Sequence, residues 1–181
     1  MNRLLRIQTL QPIPALTSRS RSLHLKLPSN QITNNRLFSL SSQLKMPTYT
    51  GSCTCRKITY NLTLDSPNDA RTSLCHCKNC KKAFGTNYGL TAKIPLDSLS
   101  LTSGKTKEHV ADNGVHREFC DNCGSFICEY GDAVKDKFRY LVVGSLDDPE
   151  VLPPKGEFFC KERASWMPEV QDVFHKKEIK E

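Results

Sequence analysis

Seven of the nine cysteines in this 181-residue chain fall into three short motifs. Cys53-Thr54-Cys55 is a CxC, Cys75-His76-Cys77-Lys78-Asn79-Cys80 is a CxCxxC, and Cys120-Asp121-Asn122-Cys123 is a CxxC followed by Gly124. A CxxC turn aims two sulfurs at one point about 2.3 Å from each, the Zn–S bond length. The turn's backbone N–H groups stabilise the thiolates. A glycine after the second cysteine supplies the positive φ that such a knuckle needs. A CxC on an extended strand directs both side chains to the same face. Each pair offers two ligands, so a closed tetrahedron requires two pairs brought together from distant parts of the chain. The fold is therefore constrained to be one that zinc can pin.

The compartment matters to this reading. Residues 1–45 hold no uninterrupted apolar run of secretory type, since Pro12 and Pro14 break the best candidate. The expected compartment is a reducing one, where clustered cysteines are metal ligands or catalytic groups rather than disulfides. Residues 1–45 are Arg- and Ser-rich and contain no Asp or Glu. That composition fits a mitochondrial transit peptide, and hence the mitochondrial matrix. The other readings are a disordered basic extension, or Met46 as the working start, either with a cytoplasmic domain. No stretch reaches the length of a transmembrane helix, so no membrane partner is expected.

Charge removes a further class of function. The chain carries a formal net charge of +7, with 26 Lys and Arg against 19 Asp and Glu. Seven of the 26 fall within residues 1–45, leaving 19 of each sign after it. The domain is neutral, without the broad basic face that meets a phosphate backbone, so no nucleic-acid partner is expected.

Organised sequence begins near Thr48. Ile58, Tyr60, Leu62 and Leu64 alternate with Lys57, Thr59, Asn61 and Thr63, the period of a strand with one buried face. Further strands are expected at 87–92, 99–102, 115–120, 125–130 and 140–143, separated by turn residues such as Asp112-Asn113-Gly114. Short helical turns are expected over 77–84 and near Asp148. The result is a mostly-β single domain over 46–170, with a polar tail at 171–181.

Counting ligands suggests a partition. Cys53, Cys55, Cys120 and Cys123 saturate one structural zinc. Cys75, Cys77 and Cys80 supply three thiolates and leave a fourth position for water or substrate, as in a catalytic zinc site. Spacing alone leaves other pairings open. Cys128 or Cys160 would close the second site, and the CxxC units of Cys77/Cys80 and Cys120/Cys123 would make a zinc ribbon, although the CxC would then lack a role. An iron–sulfur cluster ranks below zinc. Cys128 by itself reads as a buried apolar cysteine, His76 as a residue turned away from the metal, and Trp166 as a packing residue.

The three motifs, with Gly51-Ser52 before the first, Ile58 and Tyr60 after it, and Gly85 after the second, resemble the glutathione-dependent formaldehyde-activating enzyme family. That family also includes centromere protein V. The resemblance covers roughly residues 47–170. It implies a zinc-containing β-sandwich of the β-tent (Mss4-like) class and two zinc ions. It also implies the partition above, with Cys53, Cys55, Cys120 and Cys123 structural and Cys75, Cys77 and Cys80 catalytic. The implied activity is that of a carbon–sulfur lyase, with glutathione as co-substrate and formaldehyde as the aldehyde, giving S-(hydroxymethyl)glutathione. The alternative within the family is a non-catalytic zinc scaffold like centromere protein V. Arg56, Lys78, Lys81 and Lys82 are candidate partners for the glutathione carboxylates. Members often carry a histidine shortly before an Arg-x-x-Trp stretch. Here that stretch is Arg163-Ala164-Ser165-Trp166, and the preceding Gly156-Glu157-Phe158-Phe159 contains a glutamate instead.

Overall fold

The computed structural model describes residues 46–179. The basic segment 1–45, with its expected presequence, lies outside them. The described chain contains eleven strands: β1 (Thr48–Ser52), β2 (Thr59–Thr63), β3 (Arg71–Cys75), β4 (Gly89–Pro95), β5 (Leu99–Ser103), β6 (Lys107–Val110), β7 (Val115–Phe119), β8 (Phe126–Gly131), β9 (Phe138–Val142), β10 (Gly156–Phe158) and β11 (Phe174–Lys176). One α-helix, α1 (Lys78–Phe84), follows β3. No helix among the described residues is long and apolar enough to cross a membrane.

The strands form two sheets. β1, β2 and β5 make a three-stranded antiparallel sheet, and the other eight run in the order β11-β10-β3-β4-β9-β8-β7-β6. Pairing is antiparallel from β3 to β6, whereas β10 runs parallel to both β3 and β11. The two-sheet, single-helix architecture is that of the β-tent class.

Both sheets feed one core. The alternation of β2 is realised as expected: Ile58, Tyr60, Leu62 and Leu64 are buried, and they join Ala92 and Ile94 of β4, Cys128 of β8 and Leu141 of β9. Burying such side chains contributes about 1.5–3 kcal/mol each. Cys128 is buried among them, as its isolation in sequence implied. Tyr60 needs a partner for its hydroxyl and finds the Ser145 hydroxyl at 2.7 Å. Gly51 lets that ring lie against β1, because a Cβ there would sit 2.2 Å from the Tyr60 ring.

Three expectations are corrected. The 171–181 segment, read as a polar tail, contributes β11, which pairs with β10 and packs Phe174 on Phe158 with ring centroids 6.0 Å apart. Trp166, read as a packing residue, is 70% exposed. The CxC does not lie on a strand. β1 ends at Ser52, and Cys53–Arg56 form a turn closed by Arg56 N–H donating to Cys53 O at 2.8 Å, with Arg56 in the left-handed region at φ 58°.

Candidate metal centres

The structure gathers the seven clustered cysteines into two groups. In each, the sulfurs lie within 4.8 Å of one another. The first contains Cys53, Cys55, Cys120 and Cys123, and the second Cys75, Cys77 and Cys80.

Two turns build the first group. The turn after β1 presents Cys53 and Cys55. The Cys120–Gly124 knuckle joins β7 to β8, with Gly124 N–H donating to Cys120 O at 2.8 Å and Gly124 at φ 72°, as the sequence required. Cys53 and Cys55 sulfurs are 3.5 Å apart, and those of Cys55 and Cys120 are 3.7 Å apart. A tetrahedron with 2.3 Å Zn–S bonds has an edge of about 3.8 Å, so the spacing fits the ion. Ile58 N–H donates to Cys53 Sγ at 3.2 Å, and the Ser125 hydroxyl lies 3.2 Å from Cys123 Sγ. The Ser125 bond brings the Cys123 thiol down to about 5, whereas burial pushes Cys120 up to about 11.

The second group sits where β3 meets α1. Cys75 is the last residue of β3, and Cys77 is the N-cap of α1, its sulfur accepting from Cys80 N–H at 3.4 Å. Gly85 ends the helix in the left-handed conformation at φ 64°. A hydrogen bond from the Cys80 thiol brings Cys75 down to about 6 and pushes Cys80 itself up; burial pushes Cys77 up. Three sulfurs this close cannot all ionise without a cation to share them. Zinc would resolve that conflict, and an all-thiolate donor set is one it favours. Cys160 does not complete the set: its thiol donates instead to Glu157 O at 3.3 Å.

His76 is fully buried and turned toward the carboxylate of Glu157, its Nε2 lying 2.7 Å from Glu157 Oε1. Glu157 is equally buried. Its Oε2 lies 3.4 Å from Arg163 Nη1 and 3.0 Å from His175 Nε2. The glutamate that stood out against the family pattern is thus the anchor behind the Cys75–Cys80 loop. The sequence signal for it was a lone charge inside the apolar run of β10.

A cleft of about 520 Å³ opens over the second group. Its wall includes Val115, Arg117, Glu129, Tyr140, Phe158 and Phe159. Arg117 Nε donates to Glu129 Oε2 at 3.1 Å, yet burial still pushes the Glu129 carboxyl up. Phe159 holds φ at 56°, a strained value for a bulky side chain. Sequence reasoning did not find these wall residues, which lie on four strands and one turn far apart in the chain.

The chain matches the glutathione-dependent formaldehyde-activating enzyme family over residues 48–162. A Phaeosphaeria nodorum protein named "Putative glutathione-dependent formaldehyde-activating enzyme" is 33% identical over 86 residues, 46% of this chain and 44% of that protein. A Schizosaccharomyces pombe protein named an uncharacterized lyase is 28% identical over 80 residues, 44% of this chain and 56% of that protein. These matches span only about half the length of each relative. A Rhodobacter sphaeroides crystal structure aligns with TM-score 0.44 and 20% identity, covering 57% of this chain and 94% of that one. The family match covers more than half of the chain and includes both cysteine groups, so the protein belongs to the glutathione-dependent formaldehyde-activating enzyme family.

Proposed function

We propose that this protein is a zinc-dependent enzyme of carbon–sulfur lyase type that adds the glutathione thiol to an aldehyde, with formaldehyde as the default. The observation that carries the reading is a group of only three cysteine sulfurs at the floor of a cleft. A fourth ligand position left to substrate distinguishes a reactive zinc from a structural one. The second ion, on Cys53, Cys55, Cys120 and Cys123, is closed and structural.

Cys75, Cys77 and Cys80 would hold the reactive zinc, which when bound supplies a Lewis acid for a carbonyl or a site that favours a thiolate. Addition needs the thiol proton removed and a proton delivered to the aldehyde oxygen, with no net change. Glu129 is the carboxylate of the cleft wall suited to that transfer. Its raised pKa brings it nearer neutrality, as proton exchange between substrates requires. Arg117 fixes its orientation through the 3.1 Å bond. The apolar wall of Phe158, Phe159 and Val115 limits the water around the reacting atoms. Glu157 acts from behind, holding His76 and with it the backbone between Cys75 and Cys77.

The test is adduct formation from formaldehyde and glutathione, followed against the buffer rate with zinc-loaded protein. Acceleration that is lost in Cys77→Ala supports the reading. Acceleration that survives Cys77→Ala places the chemistry elsewhere.

A further inference from the structure

Strand alternation puts Arg71, Ser73 and Cys75 of β3 on one face of the large sheet. On β4, Lys93 lies opposite Arg71, Thr91 opposite Ser73 and Gly89 opposite Cys75. This face therefore has two chemically different ends, sulfur at Cys75 and cationic at Arg71. A second cleft, of about 390 Å³, lies at the cationic end, with Arg71, Lys93 and Lys155 in its wall. Ser73, Tyr140 and Phe158 line both clefts, so the two adjoin on this face and together make up a groove.

The cationic end lacks compensation. Among the described residues no carboxylate lies within 4.0 Å of Arg71, Lys93 or Lys155. Like charges directly opposite across a strand pair are destabilising, and Arg71 and Lys93 are such a pair. Lys155 is fixed beside them: its ammonium donates to Pro67 O, Asn68 Oδ1 and Ala70 O, each at 3.2 Å. Lys93 rests its ammonium 4.0 Å from the Phe138 ring centroid. None of these partners carries negative charge.

Two of the cations that sequence reasoning favoured, Arg56 and Lys81, are placed differently. Arg56 lines a separate cleft with Thr50 and Asp147. Lys81 donates its ammonium to Glu162 O, at 2.5 Å. Arg117, inside the groove, is already paired with Glu129 at 3.1 Å.

We propose that Arg71 and Lys93, in the field of Lys155, bind a carboxylate of the thiol co-substrate and so seat its sulfur over Cys75, Cys77 and Cys80. The lengths agree. Four residues of strand separate Arg71 from Cys75 by about 13 Å. The glutathione thiol sits on the middle residue, so each carboxylate lies only two residues' length, roughly 7 Å, from the sulfur, and the Arg and Lys side chains reach back across the rest. The groove thus selects a thiol bearing a carboxylate some distance from its sulfur. The inference rests on the reading that a thiol binds this cleft.

The test uses S-methylglutathione, which keeps both carboxylates but has no free thiol, with the zinc-loaded full chain and equilibrium dialysis at low and high salt. The diethyl ester of the same compound, without carboxylates, is the control. Wild type is expected to bind the acid more tightly than the ester, and salt is expected to weaken only the acid. Arg71→Glu or Lys93→Glu is expected to weaken the acid by about tenfold and not to weaken the ester, whose one charge is an ammonium. Should Arg71→Glu disturb the zinc content, Arg71→Gln carries the same expectation with a smaller loss. Equal binding of acid and ester by wild type, absence of acid binding, or equal acid binding by wild type and both charge reversals would overturn the assignment. Wild-type addition of formaldehyde to glutathione is measured in parallel. Acceleration there preserves the cleft chemistry even if the carboxylate site fails, and its absence counts against the chemistry whatever the binding result.

Discussion

Glu157 is the buried charge on which the Cys75–Cys80 loop depends, and Glu157→Leu removes it with little change in volume. The His76 Nε2–Oε1 contact is 2.7 Å, with both side chains at 0% exposure. Breaking a buried pair of this kind costs about 3–5 kcal/mol, because the remaining partner cannot recover water. Arg163 and His175 retain 20% and 35% exposure, so solvent takes over much of their loss and they add little. The expected destabilisation is therefore about 3 kcal/mol, dominated by the orphaned imidazole. Glu157→Gln keeps an oxygen within reach of His76 and should lose clearly less. The assay is urea unfolding at neutral pH with zinc held in excess, read by linear extrapolation. Because His76 lies between Cys75 and Cys77, Glu157→Leu should also speed zinc release to a chelator. A loss under about 1 kcal/mol, the size of an ordinary substitution, would refute the reasoning. So would equal losses for the Gln and Leu variants.

Other expectations follow from single contacts. Gly51→Ala places a methyl group 2.2 Å from the Tyr60 ring and 2.7 Å from Ser145 O, so it should destabilise by about 1–3 kcal/mol in the same unfolding assay. Glu129→Gln should lower kcat for adduct formation by about a hundredfold and change KM much less, if it moves the proton. Burial, with Glu118 nearby, pushes the Cys128 thiol up in the folded state. Its native form therefore keeps a proton that the unfolded chain loses above roughly pH 8.5, and stability should fall as pH rises beyond that value. Cys128→Ala should flatten that alkaline slope, which unfolding at about pH 8 and about pH 10 would measure.

The legible parts of the fold were those with local signals. The alternation over Ile58–Leu64 marked β2 and its buried face, and the Cys120–Gly124 knuckle was readable from spacing and a glycine. Ligand counting anticipated the two cysteine groups because pairs from separate turns must meet to saturate an ion. The illegible parts depend on pairing across long distances. β10 and β11 have three residues each and exist as strands because β3 accepts β10 in parallel, which no local pattern encodes. β3 itself reads as a polar run because one of its faces lines the groove. Glu157 looked like a departure from pattern, since its meaning lies in His76, 81 residues away. The CxC was expected on a strand, yet Arg56 adopts a left-handed turn that closes immediately after β1.

The central claim is that one cysteine group is closed and structural while the other holds an open, reactive zinc. Zinc quantification on the purified full chain, beside Cys77→Ala and the glutathione–formaldehyde rate, tests it most directly. The account predicts two zinc ions per chain in wild type, one in Cys77→Ala, and loss of the rate acceleration with that second ion. Two ions and an unchanged rate in Cys77→Ala would contradict it.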